Sequence, residues 1–195
     1  MNRAKIRKKL LKFLRPDCEE LLWTIPLQGK KRAIEFCICD PGLYGCFRFV
    51  FMHIRYGILL LAFALPWSTP KVFLLRLFGA KIGANVYISS AVYIDPMFPE
   101  LLQIEDGVLL GYGVKLFFHE ISQETYRLGR IKLCKNAIIG ACSALRPGII
   151  IGEEAFVGAM SAVIANVQAG RTVMGVPARV VKKAASVKES STKGK

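Results

Sequence analysis

Broken every six residues, residues 133–167 read LCKNAI IGACSA LRPGII IGEEAF VGAMSA VIANV, and every piece begins with Leu, Ile or Val. Those three residue types occupy 54 of the 195 positions. Six hits in a row at a fixed spacing arise by chance about once in two thousand placements. The same spacing recurs upstream as Ile82, Ile88, Ile94 and again as Ile104, Leu110, Leu116. A period of six is too short for a helical repeat. It fits one short strand and a tight turn, with a branched anchor pointing inward and coils stacking so that their strands pair in parallel about 4.8 Å apart.

Other positions keep the same register. Four residues after the anchors come Val86, Val92, Val108, Val114, Ala137, Ser143, Ile149, Ala155 and Ser161. Gly83, Gly111, Gly140, Gly152 and Gly158 directly follow anchors, where their freedom of backbone dihedral is expected to serve the turns. The expected fold is therefore mainly β, a parallel β-helix of hexapeptide repeats over residues 74–183. The register breaks between Glu120 and Ile131, which predicts a loop leaving the coil.

The segment before the repeats has a different composition. Residues 1–15 place Ile6, Leu10, Phe13 and Leu14 at helical spacing among seven Lys and Arg residues, the pattern of a basic amphipathic helix. Residues 47–66, FRFVFMHIRYGILLLAFALP, are mostly apolar, but Arg48, His53 and Arg55 leave too short an uncharged run to span a bilayer, which takes about 20 residues. Basic flanks on both sides oppose a single crossing. Residues 1–73 are therefore expected to form a helical, membrane-associating segment that lies in the interface or re-enters it. Packing of these faces on the β-helix or at a subunit contact is the alternative. Residues 184–195 are expected to be a disordered basic tail.

Net charge is +14. It calls for an acidic partner, and with 53% hydrophobic residues an anionic membrane lipid fits better than nucleic acid, for which no aromatic stacking platform is interleaved with the charge. Six cysteines lack both disulfide-framework spacing and zinc-knuckle spacing, including Cys37, Cys39 and Cys46 with nearby His53, so reduced thiols and no metal are expected.

The hexads, the closing AGRTVMGVPARVV at residues 169–181, and His119 just before the break resemble the hexapeptide acyltransferase family. The nearest-looking branch holds the maltose, galactoside and exopolysaccharide O-acetyltransferases. That resemblance implies a left-handed coil sense, a homotrimer with sites between subunits, and acetyl-CoA as acyl donor with no metal. It implies transfer to a hydroxyl of a sugar or lipid-linked glycan, which the basic and apolar N-terminal segment would place at the cytoplasmic face of the cell membrane. His119 takes the family's position of general base, a task for which the imidazole pKa is suited near neutral pH. Glu120 and Glu124 are the nearby carboxylates that could orient it, and Asp95 resembles a position lining the acceptor side.

By the same resemblance the CoA arm lies beside small residues at Ala141, Ser143, Ala159 and Ala162. Its adenine end lies near Ala165 and Asn166, which replace a longer Thr-Lys-Asp run, and its phosphates near Arg179 and Lys182 or Lys183. N-acyl transfer to an amino-sugar and a non-catalytic scaffold are the competing readings. A γ-type carbonic anhydrase would need three zinc-binding histidines, and the repeats hold only His119.

Overall fold

In the computed structural model, which describes residues 3–26, 46–122 and 124–181, the chain opens with helix α1 (Arg3–Phe13) and strand β1 (Leu22–Pro26). Helices α2 (Cys46–Ala64) and α3 (Ser68–Leu77) follow. The chain then winds into coils of three short strands each. The first holds β2 (Lys81–Ile82), β3 (Tyr87–Ile88) and β4 (Tyr93–Ile94), and the second β5 (Leu102–Ile104), β6 (Leu109–Leu110) and β7 (Lys115–Leu116). An excursion through β8 (His119–Ile121) and β9 (Thr125–Gly129) precedes the third coil, β10 (Ile131–Leu133), β11 (Ile138–Ile139) and β12 (Ala144–Leu145). A fourth, β13 (Ile149–Ile151), β14 (Phe156–Val157) and β15 (Ala162–Val163), is closed by β16 (Thr172–Met174) and an antiparallel β17 (Arg179–Val180).

The strands stack into three parallel sheets: β2-β5-β10-β13, β3-β6-β11-β14-β16 and β4-β7-β12-β15. Their registers place the hexad anchors in three inner ladders, for example Ile88 beside Leu110, Leu110 beside Ile139 and Ile139 beside Val157. Ile88, Leu110, Ile139 and Val157 are completely buried, each contributing about 1.5–3 kcal/mol through removal of apolar surface from water. The residues four after the anchors are buried as well, apart from a half-buried Val86. Periodicity thus turned directly into core.

The turns correct one expectation. Positive φ falls three residues after the anchors, not one, at Asn85, Ala91, Gly107, Gly113, Asn136, Cys142, Gly148, Glu154 and Met160. Most of these are not glycine, and the left-handed conformation costs an ordinary residue about 1–2 kcal/mol. Gly107, Gly113, Asn136, Cys142, Glu154 and Met160 each donate their N–H to the coil below. Cys142 N–H donates to Tyr112 O at 2.7 Å and Met160 N–H to Ala141 O at 2.8 Å. The glycines that follow anchors are there for space: a Cβ on Gly140 would lie 2.5 Å from Ala159 N, and one on Gly111 2.8 Å from Ala141 N.

The N-terminal residues are built into this body. Ile6, Leu10, Phe13 and Leu14 are buried in the common core. The apolar face of α1 is therefore spent on the protein and is not available to a bilayer, while Arg7, Lys8, Lys9, Lys12 and Arg15 remain exposed. Arg130 fixes the end of α1, donating to Phe13 O at 2.5 Å and Arg15 O at 2.8 Å, where carbonyls left over at a helix C-terminus favour a cation. The boundary expected between residues 73 and 74 falls inside α3.

That helix covers the open edge of the first coil, a place where unpaired strand groups are otherwise exposed. Ile88 N–H donates to Ser68 Oγ at 2.9 Å, and Lys71 Nζ to Ser89 O at 2.7 Å. Burial pushes the Lys71 ammonium below the ordinary lysine range. Arg76 reaches Ile82 O and Gly83 O.

The break after His119 is a hairpin and not an irregular loop. β8 pairs antiparallel with β9, and β9 with β1, so the excursion is held by the N-terminal segment of its own chain. Lys182, Lys183, the tail at 184–195, and Cys37 and Cys39 lie outside the described residues.

Candidate active site

The third sheet ends each coil at one edge of the prism, and there the chain departs from its repeat. After Ile94 it inserts residues 95–101, with a 3-10 turn at Pro99–Leu101. After Leu116 it builds the β8–β9 hairpin. These two departures, in adjacent coils, bring Asp95 and His119 together. His119 Nδ1–H donates to Asp95 Oδ2 at 2.5 Å, with the aspartate side chain 1% exposed and the histidine 25%. Asp95 Oδ1 accepts Met97 N–H at 3.0 Å, which holds the carboxylate in place. In the neutral ring that donates from Nδ1 to this acid, Nε2 is the accepting nitrogen, the arrangement a general base requires.

Aromatic rings surround the pair. Phe98 meets His119 edge-on at 6.1 Å, and Tyr93 lies 5.9 Å from Phe117. Burial, the nearby Asp95 charge and Tyr56 push the Tyr93 phenol up to about 12. It stays neutral beside the aspartate and adds no second negative charge.

Glu120, expected as a partner of His119, lines the same cleft but pairs with arginine. Arg146 donates to it through Nε at 2.6 Å and Nη2 at 3.0 Å, and Arg127 lies 4.0 Å off. The carboxylate that meets the ring is Asp95, and being buried it does not itself line an acceptor surface. Glu124 is exposed at the tip of the hairpin.

His119 stands on an open cleft of about 460 Å³ between the hairpin and the third sheet, lined also by Phe117, Ala144, Arg146, Ala162 and Ile164. Of the residues expected along a donor track, Ala162 is in this cleft, paired in register with Ala144. Ala141 and Ala159 lie at a neighbouring corner, joined by the hydrogen bond from Met160 N–H to Ala141 O. Ser143 does not fit the track. It is completely buried, and its hydroxyl donates to Gly158 O at 2.8 Å, so its small size serves the interior. Ala165 and Asn166 are exposed, but Asn166 Oδ1 already accepts Ile150 N–H at 2.9 Å. Arg179 is exposed on β17 and donates to the adjacent Ala178 O.

Sequence reasoning missed Arg146, Phe117 and Ala144, and a signal for two of them was present. After the anchors of the first two sheets the next residue is often Gly. After Ile94, Leu116, Leu145 and Val163 it is Asp95, Phe117, Arg146 and Ile164. One corner in three is released from the small-residue rule, and it is the corner that carries the cleft. Among the described residues no group of three His, Cys, Asp or Glu stands close enough to hold a metal.

The comparisons agree with this architecture. No family model matches the chain. A Bacillus subtilis (strain 168) protein named as an acetyltransferase, YvoF, is 32% identical over 117 residues, spanning 60% of this chain and 68% of its own. An Escherichia coli (strain K12) protein named as a colanic acid biosynthesis acetyltransferase, WcaF, is 30% identical over 136 residues, with 57% of this chain and 74% of its own covered. Among solved structures, a hexapeptide-repeat acetyltransferase of Vibrio cholerae O1 biovar eltor complexed with acetyl coenzyme A superposes with a TM-score of 0.59. It is 20% identical, with 73% of this chain and 91% of that one covered. A galactoside acetyltransferase in complex with coenzyme A gives 0.56 at 19% identity, covering 80% and 91%.

Proposed function

The chain belongs to the hexapeptide-repeat acetyltransferase family, and from that membership we propose that it transfers an acyl group, acetyl in the first instance, from coenzyme A to a hydroxyl of a sugar or lipid-linked glycan. The observation that carries the reading is the Asp95–His119 pair on the rim of the open cleft. Nε2 of His119 takes the proton of the acceptor hydroxyl as its oxygen attacks the thioester carbonyl. The new C–O bond forms, the C–S bond breaks, and the imidazolium returns the proton to the departing CoA sulfur. Asp95 stabilises the imidazolium between those steps and fixes the tautomer that starts the cycle.

Acetyl-CoA as donor is supported by the names of the relatives and by the CoA molecules in the complexes of similar fold. The cleft suits it in one respect: Ala144 and Ala162 leave room beside the third sheet for an extended arm to approach the backbone.

Association into a homotrimer is part of this reading. It is supported by the outward face of the second sheet, where Tyr87, Leu109, Ile138 and Phe156 form an exposed apolar ladder in register. A flat row of that kind is suited to cover by another copy. We read the place of action as the cytoplasmic face of the cell membrane, with peripheral or monotopic attachment.

The test is incubation with labelled acetyl-CoA and a membrane glycolipid extract. Label is expected in a product that releases acetate in mild alkali, as an ester does, and His119→Ala is expected to abolish it. An alkali-stable label would mean transfer to an amine, and no label in any acceptor would remove the catalytic reading.

A further inference from the structure

Helix α2 has two apolar faces. Met52, Leu59, Ala62 and Phe63 turn inward and are buried with Arg55. Phe47, Val50, Ile54, Ile58, Leu61 and Leu65 form a second stripe at three- and four-residue spacing that is exposed along its whole length, with Ile54 58% and Leu61 75% accessible. Trp67, Phe73 and Leu77 extend this exposure around α3. A contiguous patch of this size on a surface marks an interaction site.

Charge indicates what covers it. No Asp or Glu occurs anywhere in residues 41–94. Arg130 ties the end of α1 to Glu100 O, and Arg55 of α2 donates to the Glu100 carboxylate, so both helices are fastened at one residue. An apolar stripe without acids, on a body whose first helix carries a row of exposed Lys and Arg, complements an anionic bilayer surface. With one side of α2 packed on the protein, the helix can lie only in the plane of that surface. Among the described residues no helix is long and apolar enough to cross a membrane. The ladder on the second sheet meanwhile offers a flatter surface to another copy.

The inner side of α2 leads to the dyad. Arg55 also donates to Met97 O, and Tyr56 is among the groups that raise the Tyr93 phenol. A small pocket of about 160 Å³ separates Phe51 and Met52 of α2 from Met97 and Phe98. Phe98 forms its wall, and the same ring meets His119 edge-on. Phe98 therefore stands between this pocket under α2 and the base.

We propose that the outward face of α2 and α3 seats the protein on an anionic bilayer, and that the acceptor is the hydroxyl headgroup of an amphiphile presented to His119 from that surface. The choice of acceptor rests on the acyl-transfer reading, whereas the seating surface does not.

The experiment uses the full chain and phosphatidylcholine vesicles containing phosphatidylglycerol. Wild type is expected to float with the vesicles at low salt and to remain partly bound at high salt. The double variant Ile54→Glu/Leu61→Glu, whose altered side chains project outward, is expected to lose at least about tenfold in bound fraction with an unchanged unfolding midpoint. Charge reversal at Lys8, Lys9 and Lys12 is expected to weaken binding at low salt only.

In the acetylation assay the double variant is expected to lose transfer to a vesicle-borne glycolipid while keeping transfer to a water-soluble sugar. Unchanged flotation of the double variant would overturn the proposal. So would a fall in its oligomeric mass, which would give this face to a second copy. Equal loss with both acceptors would overturn the amphiphile assignment. Absence of transfer by wild type to any acceptor would count against the acyl-transfer reading, leaving flotation to judge the surface by itself.

Discussion

Two kinds of corner in the same prism behave differently. At the corners after the first and second sheets the stacked backbones approach so closely that Gly152 in the one and Gly140 or Gly111 in the other have no room for a Cβ. At the corner after the third sheet the position holds Asp95, Phe117, Arg146 or Ile164, and the chain makes two excursions. The tight corners make the coil rise regularly. The open corner uses that regularity as a rigid base, so that residues from neighbouring coils, 24 apart in sequence, meet at 2.5 Å. Close packing and chemistry are thus assigned to different edges of one repeat.

The largest effects that would test this division belong to the open corner. His119→Ala is expected to lower acyl transfer by about 10²- to 10⁴-fold with the circular dichroism spectrum unchanged. Asp95→Asn keeps the shape but removes the charge behind the ring, and a loss in kcat of about 10²-fold with little change in KM for acetyl-CoA is expected. Glu120→Gln is the control. It breaks a pair that is about one-third exposed and should alter the rate only a few-fold. A larger loss from Glu120→Gln than from Asp95→Asn would reverse the assignment of the orienting acid.

Next comes occupancy of the cleft. Ala162→Trp places an indole against His119's side of the third sheet, and CoA affinity is expected to fall by about tenfold or more, measured by calorimetry. Retained affinity would move the donor to another edge.

The tight corners should respond in stability and not in rate. Gly140→Val forces a branched side chain against Ala159 N, and a cost of about 1–3 kcal/mol is expected from the overpacking. That appears as a melting temperature lowered by several degrees, with the activity of the folded fraction preserved. A selective loss of activity would show that this corner also serves the reaction.

The smallest effect concerns the covered end of the stack. Ser68→Ala leaves Ile88 N–H without the hydroxyl that substitutes for a missing coil, and about 1 kcal/mol is expected in denaturant unfolding.

Residues 1–73 were expected to be a membrane-associating segment, with packing on the β-helix as the alternative, and the contacts give α1 to the packing. Hydropathy patterning found α1 and α2 and showed that each has an apolar face, but one face looks the same in sequence whether protein or lipid covers it. α1 turned inward and is fastened by Arg130. α2 turned one apolar side inward and kept another outside. The pairing of β1 with β9 was likewise unreadable, because the partners lie about a hundred residues apart and neither carries the repeat. The glycines after the anchors were recognised in the right places for the wrong reason. Only the stacked backbone shows that space, and not φ, selects them.

What the sequence by itself determined is the coil: its period, its inward ladders and the point where His119 leaves the register. A repeat writes its contacts locally, since each residue's neighbour in space is its counterpart one coil away. The partner of His119, the role of Glu120 and the direction of each helix face were decided only by tertiary structure. Asp95 resembled a position on the acceptor side, and Glu120 was the nearer acid along the chain. Which carboxylate reaches an imidazole depends on how two excursions from adjacent coils fold back over the same edge, and no local pattern encodes that distance.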